Sequence, residues 1–337
     1  MVTYVLIDAT RKRILFQLPR CLARRPSDWR RPGCIREWRF SGCRRMISLF
    51  LTALAVLQSA APAAVTQEVL SDPAHRAAMK AVPITSGGTA LNAVLYVAAG
   101  AAPHPTVLLL HGFPGNEQNL DLAQAMRRAG WNVLTLHYRG SWGTPGSFSF
   151  HHVLEDADAA LAWLRGSAGR AAGVDPGHIV VIGHSMGGMA TAYEAGHDRA
   201  IIGAGLISAA GMNLFTGPRA ETIKALGDEY GAGTMHTLAG TSPEALYDEV
   251  KADPKPFTLN TYAAGAAMKP VLVVSSDDGL QPVDEGFAAA VRASGGSPRQ
   301  AHLATDHSYS DMRIALETIV IEWLATLPGA PKVPAGN

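Results

Sequence analysis

The sequence places one serine where it could act as a nucleophile. The pentapeptide GHSMG occupies residues 183–187, with Ser185 at its centre, and directly follows the apolar run IVVI at residues 179–182. A G-x-S-x-G pattern between a strand and a helix forms a sharp turn that lifts the serine hydroxyl above the edge of the sheet. Glycines flank the serine because a side chain at either position would collide with the turn. The pattern predicts covalent catalysis by Ser185, with His184 pointing away from the catalytic face.

A second loop has the groups that such chemistry needs. The apolar run at residues 107–110 continues into HGFPG at residues 111–115. When a strand–helix architecture carries a nucleophilic serine, an early loop donates one backbone N–H to the developing oxyanion, and the residue after the serine donates another. The predicted donors are the main-chain N–H groups of Phe113 and Met186. A tight Gly/Pro turn with no further role is the alternative for HGFPG.

Together these motifs resemble the α/β-hydrolase superfamily over roughly residues 80–327. The tetrapeptide YRGS at residues 138–141 and the paired glycines Gly187 and Gly188 are similar to the prolyl-oligopeptidase-like and dienelactone-hydrolase-like branches. The sequence departs from both branches. The segment before residue 80 is too short for the propeller of prolyl oligopeptidases, and the nucleophile is a serine where dienelactone hydrolase has a cysteine.

The resemblance also implies an acid and a base after late strands. The acid of this family stands four residues before a proline, which in SSDDGLQP at residues 275–282 selects Asp278 over Asp277. The base follows the last strand, which indicates His307. The chain order serine, acid, histidine is the order that this family uses. Asp277 remains the alternative acid, and His302, inside the last strand, is expected to be structural.

The activity implied by this triad is that of a serine hydrolase. The expected reaction is cleavage of a carboxylic ester or related acyl bond of a small molecule, of the carboxylesterase type (EC 3.1.1), through an acyl-enzyme on Ser185. A serine peptidase or amidase, an acyltransferase of the same fold and a non-catalytic ligand-binding protein are the alternatives. No cofactor or metal is expected, since the adjacent His151 and His152 lack a third ligand at suitable spacing.

The rest of the chain predicts the elements that position these residues. Aliphatic runs alternate with amphipathic helical patterns, as an α/β fold with a doubly wound, mostly parallel sheet requires. Residues 212–268 interrupt the alternation. They could form a small helical cap over the site or pack at the edge of the sheet, and both interpretations stay open. The predicted strands lie at residues 107–110, 133–136, 179–182, 201–206, 271–274 and 300–304, and the clearest helical patterns at 122–129, 153–164 and 311–327.

The N-terminus differs in composition from the body of the chain. Residues 1–45 contain 12 of the 29 basic residues, three of the 28 acidic residues and all three cysteines. The remainder therefore has a net charge of −8, which argues against a nucleic-acid partner because such partners bind basic surfaces. We expect residues 1–45 to be a basic extension that is disordered or not translated.

Residues 46–63 resemble a secretory signal peptide. Two arginines precede an apolar run at residues 47–57, and Ala61-Pro62-Ala63 supplies a small-residue cleavage site. A run of 11 residues is shorter than the ~20 that span a bilayer, so no stable membrane span is expected, although an uncleaved weak anchor is an alternative. The expectation is export, periplasmic or secreted, after cleavage near Ala63, with a hydrolase domain at residues 64–327 and a Pro/Gly-rich tail at 328–337.

Overall fold

The computed structural model describes residues 4–9, 12–17, 61–68, 72–228 and 235–331. The chain divides into two units, residues 1–59 and residues 60–337. In the first unit, strands β1 (Tyr4–Ala9) and β2 (Lys12–Gln17) pair antiparallel. The rest of the predicted basic extension and the apolar run of the predicted signal peptide lie outside the described residues.

An eight-stranded sheet forms the centre of the second unit. Its strands are β3 (Ala78–Ser86), β4 (Thr89–Val97), β5 (His104–Leu110), β6 (Asn132–Leu136), β7 (Val174–His184), β8 (Gly203–Ile207), β9 (Val271–Ser276) and β10 (Arg299–Leu303). They lie in the order β10-β9-β8-β7-β5-β6-β4-β3. The strands from β5 to β10 are parallel, whereas β4 pairs antiparallel with both β3 and β6. The predicted doubly wound, mostly parallel sheet is confirmed.

Helices cover both faces of this sheet. They are α1 (Ala63–Thr66), α2 (Leu120–Arg128), α3 (Phe150–Arg165), α4 (Ser167–Ala171), α5 (Met186–His197), α6 (Arg219–Asp228), α7 (Pro243–Ala252), α8 (Ala263–Ala266), α9 (Gln281–Ala293) and α10 (Arg313–Leu324). Successive side chains of a strand point to opposite faces. Leu108 and Leu110 of β5 therefore enter the core beneath α3 and α5, while Val107 and Leu109 enter the core beneath α2 and α10.

The first two strands of the sheet, β3 and β4, are absent from the sequence-based expectation. β3 is one of the two edge strands, and five of its nine residues are exposed, so it has no continuous apolar run. It also contains Pro83, which a strand tolerates only at an edge or a bulge. The final helix, α10, begins at Arg313 and ends at Leu324, so it is shorter than the expected range 311–327. None of the described helices is both long and apolar enough to cross a membrane.

Candidate active site

Ser185 occupies a strained turn between β7 and α5. Its backbone has φ 56° and ψ −120°, and such a conformation costs a non-glycine residue of the order of 1–3 kcal/mol. Neighbouring backbone groups hold the turn in place: the N–H of Ser185 donates to the carbonyl of Ile207 at 2.9 Å, and its own carbonyl accepts from the N–H of Ala210 at 3.0 Å. These two hydrogen bonds hold the backbone of Ser185 against the last residue of β8 and the loop that follows it.

Close backbone packing explains the glycines around this serine. A Cβ atom on Gly183 would lie 2.0 Å from the carbonyl oxygen of Gly187, and one on Gly187 would lie 2.2 Å from the carbonyl oxygen of Leu110. In the HGFPG loop, a Cβ atom on Gly112 would lie 2.8 Å from the Cβ of Ser185. The loop after β5 therefore lies directly against Ser185, as the oxyanion prediction requires.

His307 and Asp278 form a hydrogen-bonded pair. The Nδ1 of His307 lies 2.7 Å from the Oδ2 of Asp278. The carboxylate side chain is only 3% exposed, whereas the imidazole is 39% exposed. An ionised carboxylate can only accept hydrogen bonds, so Nδ1 must carry the proton and donate it. The neutral imidazole then keeps the lone pair of Nε2, the atom that a general base uses.

The surroundings of Asp278 keep it ionised. Burial by itself would raise the pKa of Asp278. Hydrogen bonds from His307, from the backbone N–H of Leu280 and from the hydroxyls of Ser208 and Ser276 outweigh burial and hold the pKa well below its ordinary value. The imidazole therefore faces a full negative charge, which stabilises its protonated form during a proton transfer.

The neighbouring Asp277 binds a different histidine. Its Oδ1 lies 3.1 Å from the Nε2 of His302, and the Nδ1 of His302 lies 3.0 Å from the hydroxyl of Ser275. The structure thus brings Asp278 to His307 and Asp277 to His302. His302 lies in β10, as expected from its place in a strand.

Ser185 and His307 line the same cavity, which has a volume of about 200 Å³. Phe113, one predicted oxyanion donor, also lines this cavity, and Met186, the other, is buried as the first residue of α5. A first-turn N–H has no carbonyl partner within its own helix, which suits the role predicted for Met186. The remaining lining residues are Gly112, Pro114, Gly115, Asn116, Glu117, His184 and Ser308.

The interrupting segment at 212–268 packs beside α3 and α5. The ring of Phe150 lies 6.0 Å from the rings of Phe215 and Phe257, and a Cβ atom on Gly196 of α5 would lie 2.8 Å from the Cβ of Tyr262. Within the described parts of the segment, residues 212–228 and 235–268, no residue lines the cavity of Ser185.

His184 lies closer to the site than the sequence indicated. It was expected to point away from the catalytic face, but it is buried in the wall of the cavity, and its ring centroid is 4.6 Å from that of His307. Its Nε2–H donates to the backbone carbonyl of His307 at 2.8 Å. Burial, together with the nearby His307, lowers the pKa of His184 to about 3. His184 is therefore a neutral side chain at the end of β7 that holds the His307 loop in position.

The YRGS motif supports the loop after β5. The hydroxyl of Tyr138 donates to the carbonyl of His111 at 3.1 Å. The backbone N–H and the Nε of Arg139 each donate to a separate oxygen of Asp156 at 2.7 Å, and this ion pair is buried. The Nε1 of Trp142 donates to the carbonyl of Pro114 at 2.8 Å. The hydrogen bonds of Tyr138 and Trp142 hold the HGFPG loop beside Ser185, and the Arg139–Asp156 pair holds the YRGS motif against α3.

Arg313 is a supporting residue that the sequence did not reveal. Its Nη1 donates to the carbonyl of Ser308 at 2.8 Å, its Nε to Asp121 at 2.7 Å and its Nη2 to the side chain of Asn119 at 3.0 Å. One guanidinium therefore joins the His307 loop to the start of α2. No sequence signal marks this arginine, because two of its three partners, Asn119 and Asp121, are almost 200 positions away along the chain.

The adjacent histidines of α3 bind separate partners. The Nδ1 of His151 lies 2.8 Å from a carboxylate oxygen of Glu249, and the Nδ1 of His152 donates to the carbonyl of Ser147 at 2.7 Å. In the part of the chain that the structure describes, no group of three or more His, Cys, Asp or Glu side chains is arranged to hold a metal ion.

Comparison with known proteins places this geometry in a family. The model of the alpha/beta hydrolase family matches residues 107–320, which include Ser185, Asp278 and His307. No curated protein is significantly similar in sequence to the chain.

Solved structures resemble the chain in fold. The carboxylesterase EstE1, cloned from a metagenomic library, is 22% identical, with a TM-score of 0.53 over 86% of this chain and 96% of its own. An esterase from Pyrococcus furiosus is 18% identical, with a TM-score of 0.58 over 75% of this chain and 92% of its own. The acylaminoacyl peptidase of Pyrococcus horikoshii is 16% identical, with a TM-score of 0.55 over 77% of this chain and 43% of its own. With the family match spanning more than half of the sequence, the chain belongs to the alpha/beta hydrolase family.

Proposed function

We propose that this protein is a serine hydrolase that cleaves a carboxylic ester, or a related acyl bond, of a small molecule. The observation that carries the proposal is the hydrogen bond between His307 and the buried, ionised Asp278, beside a cavity that Ser185 also lines. A serine hydroxyl is a weak nucleophile by itself and requires an adjacent base to become reactive. His307 is the base available on this side of the sheet.

The first step forms an acyl-enzyme. The Oγ of Ser185 attacks the carbonyl carbon of the substrate, and the Nε2 of His307 takes the hydroxyl proton. Asp278 stabilises the resulting imidazolium, and the same proton then passes to the leaving alcohol as the ester C–O bond breaks. The backbone N–H groups of Phe113 and Met186 bind the negatively charged carbonyl oxygen. Each such donor lowers the barrier by about 2.7–4 kcal/mol.

The second step releases the acid. Water attacks the acyl carbon while His307 again accepts a proton, and the proton returns to the Oγ of Ser185 as the acyl–oxygen bond breaks. The chemistry requires only the chain's own residues and water. The carboxylesterase and esterase named among the similar structures support an ester substrate through their shared fold, and the peptidase among them makes an amide the natural comparison substrate.

The test compares an ester with an amide of the same acid. The purified protein is assayed with 4-nitrophenyl acetate and with 4-nitroacetanilide, alongside the Ser185→Ala variant and the control Ser294→Ala, an exposed serine after α9. We expect faster turnover of the ester, a loss of roughly 10⁴-fold or more in kcat in Ser185→Ala and no change in Ser294→Ala. Activity that survives in Ser185→Ala would overturn the proposal, and faster turnover of the anilide would indicate an amidase.

A further inference from the structure

The cavity of Ser185 contains a carboxylate that the proposed mechanism does not use. Glu117 lines this cavity, six residues beyond the start of the HGFPG loop. The two other titratable side chains in its wall are His184, which burial keeps neutral, and His307, the proposed base. Among the described residues that line the cavity, Glu117 is the only Asp, Glu, Lys or Arg, so the cavity wall contains a carboxyl group and no lysine or arginine.

A second cavity, with polar walls, lies next to the cavity of Ser185. The second cavity has a volume of about 500 Å³ and shares Asn116, Glu117 and Ser308 with the first. Its other lining residues are Gln118, Leu120, Asp121, Ser310 and Arg313. A substrate held at Ser185 can therefore extend past Glu117 into a space where seven of the eight described lining residues are polar.

The second cavity does not offer a cation to a ligand. Arg313, its one basic lining residue, is an ion-pair partner of Asp121 and also donates to the side chain of Asn119 and to the carbonyl of Ser308. Its positive charge is thus balanced by Asp121. The charge of Glu117 also acts on the guanidinium of Arg313, but the Oε1 of Glu117 accepts its hydrogen bond from the backbone N–H of Asn119, at 2.5 Å. Two carboxylates, Glu117 and Asp121, thus face one guanidinium. The walls of the two cavities therefore carry a net negative charge, which is unsuited to an anionic group.

The position of the second cavity indicates which part of a substrate enters it. Ser308, Ser310 and Arg313 all belong to the His307 loop or to the helix that follows it. The leaving alcohol must lie within hydrogen-bond reach of His307 to receive its proton. The leaving group therefore lies on the side of the molecule where the second cavity opens, beside Glu117.

We propose that the natural substrate is an ester whose alcohol part carries a positive charge, such as an amino alcohol or a quaternary ammonium alcohol, and that Glu117 selects it. The inference rests on the proposed ester hydrolysis and adds the chemical class of the leaving group. Glu117 is partly exposed, so solvent and salt screen its attraction for a cation. The expected preference for a cationic over a neutral leaving group is roughly threefold to fivefold in kcat/KM, and smaller at high salt.

The experiment uses three thioesters that differ in the charge of the leaving group. Acetylthiocholine is cationic, 3,3-dimethylbutyl thioacetate is its neutral isostere and 4-(acetylthio)butanoate is anionic, and a thiol reagent reports the release of each. The variants are Glu117→Gln and a matched control, Glu244→Gln, at an exposed glutamate of α7. The measured quantity is the ratio of kcat/KM between substrates within each variant, so a general loss of activity does not affect the comparison.

In the wild type and in Glu244→Gln, we expect kcat/KM to be highest for the cationic thioester, lower for the neutral one and lowest for the anionic one. In Glu117→Gln, we expect the three kcat/KM values to lie within twofold of one another. Equal ratios in wild type and Glu117→Gln would overturn the inference while leaving the proposed ester hydrolysis intact.

A second experiment applies if the acetyl group itself is not accepted. Protection of Ser185 from a fluorophosphonate by choline is then compared with protection by 3,3-dimethylbutanol. Stronger protection by choline supports the inference, and equal protection rejects it. A protein that neither hydrolyses the thioesters nor takes the label contradicts the proposed function itself, and the inference with it.

Discussion

At the scale of single residues, the two adjacent aspartates after β9 have different partners. Asp278 binds His307, and Asp277 binds His302. The type of residue does not distinguish them, since both are aspartates in one loop. The two differ only in the direction in which the turn points each side chain. The one sequence signal that favoured Asp278 was its spacing of four residues before Pro282, which is typical of the family.

Replacing each aspartate tests this assignment. Asp278→Asn removes the charge that stabilises the protonated His307 and permits the wrong tautomer, so kcat should fall roughly 10³- to 10⁴-fold. Asp277→Asn changes only the contact with His302 and should leave kcat within a few-fold. Steady-state kinetics on one ester for both variants provide the measurement. A severe loss in Asp277→Asn with little change in Asp278→Asn would show that the acid has been assigned to the wrong residue.

Asp284 is a buried acid whose protonation depends on pH. It lies in α9, where its Oδ1 accepts from the N–H of Ala209 at 3.0 Å, and its Oδ2 has no hydrogen-bond partner within the described parts of the chain. Burial, with added repulsion from Asp278 and Glu285, raises the pKa of Asp284 from 3.8 to about 8. The folded protein therefore holds a proton on Asp284 at pH values where the unfolded chain has released it.

This difference makes the stability fall as the pH rises. Between about pH 4 and pH 8 the folded state binds more protons than the unfolded state, so raising the pH across this window lowers the free energy of unfolding. Asp284→Asn keeps the oxygen that accepts from Ala209 but cannot ionise. We expect its stability relative to the wild type to increase by roughly 1–3 kcal/mol between pH 4.5 and pH 8.5. Urea denaturation at both pH values measures this, and a pH-independent difference would show that Asp284 does not titrate in this range.

At the scale of elements, the turn between β7 and α5 has the strictest steric requirements. A methyl group on Gly183 would collide with backbone atoms of Gly187, which cannot move without displacing Ser185. By contrast, a methyl group on Gly286, inside α9, would have nothing within 4 Å. The two glycines thus differ in the space around them, although both lie in or beside regular elements.

Two alanine substitutions test this contrast. Gly183→Ala should destabilise the fold by several kcal/mol, or abolish folding, because overpacking here strains backbone rather than a flexible side chain. Gly286→Ala should be neutral or stabilise by about 0.5–1 kcal/mol, as alanine is the better helix former. Thermal denaturation of both variants measures the effect. A Gly183→Ala protein as stable and as active as the wild type would refute the close packing at this turn.

The elements were predictable to different degrees, for physical reasons. The buried parallel strands β5 to β9 contain short aliphatic runs, and the glycines around Ser185 at the end of β7 indicate the proposed nucleophile. The edge strand β3 has mixed polarity because one side of it faces solvent. The contacts of His184 and Arg313 with the His307 loop depend on which loops meet at the carboxyl edge, and a sequence read locally does not contain that information.

At the scale of the whole molecule, the start of the second unit bears on export. We propose that the chain is exported and cut after Ala63. Ala64 is buried, and the side chain of Arg128 donates to the carbonyl oxygens of Ala64 and Val65 at 2.6 and 3.4 Å. A cut at this place keeps these contacts in the mature protein. Mass spectrometry of the exported protein should find Ala64 as its first residue, and intact peptides containing Cys21 would contradict the cut.

Activation of Ser185 is the central claim, and covalent labelling tests it most directly. A fluorophosphonate reacts with a serine only when a base has made its hydroxyl nucleophilic. The purified protein is incubated with the reagent, and its intact mass and labelled peptides are compared with those of Ser185→Ala. We predict one adduct per chain, on the peptide that contains Ser185, and none in the variant. A folded wild-type protein that takes no label, or a label that persists in Ser185→Ala, would contradict the account.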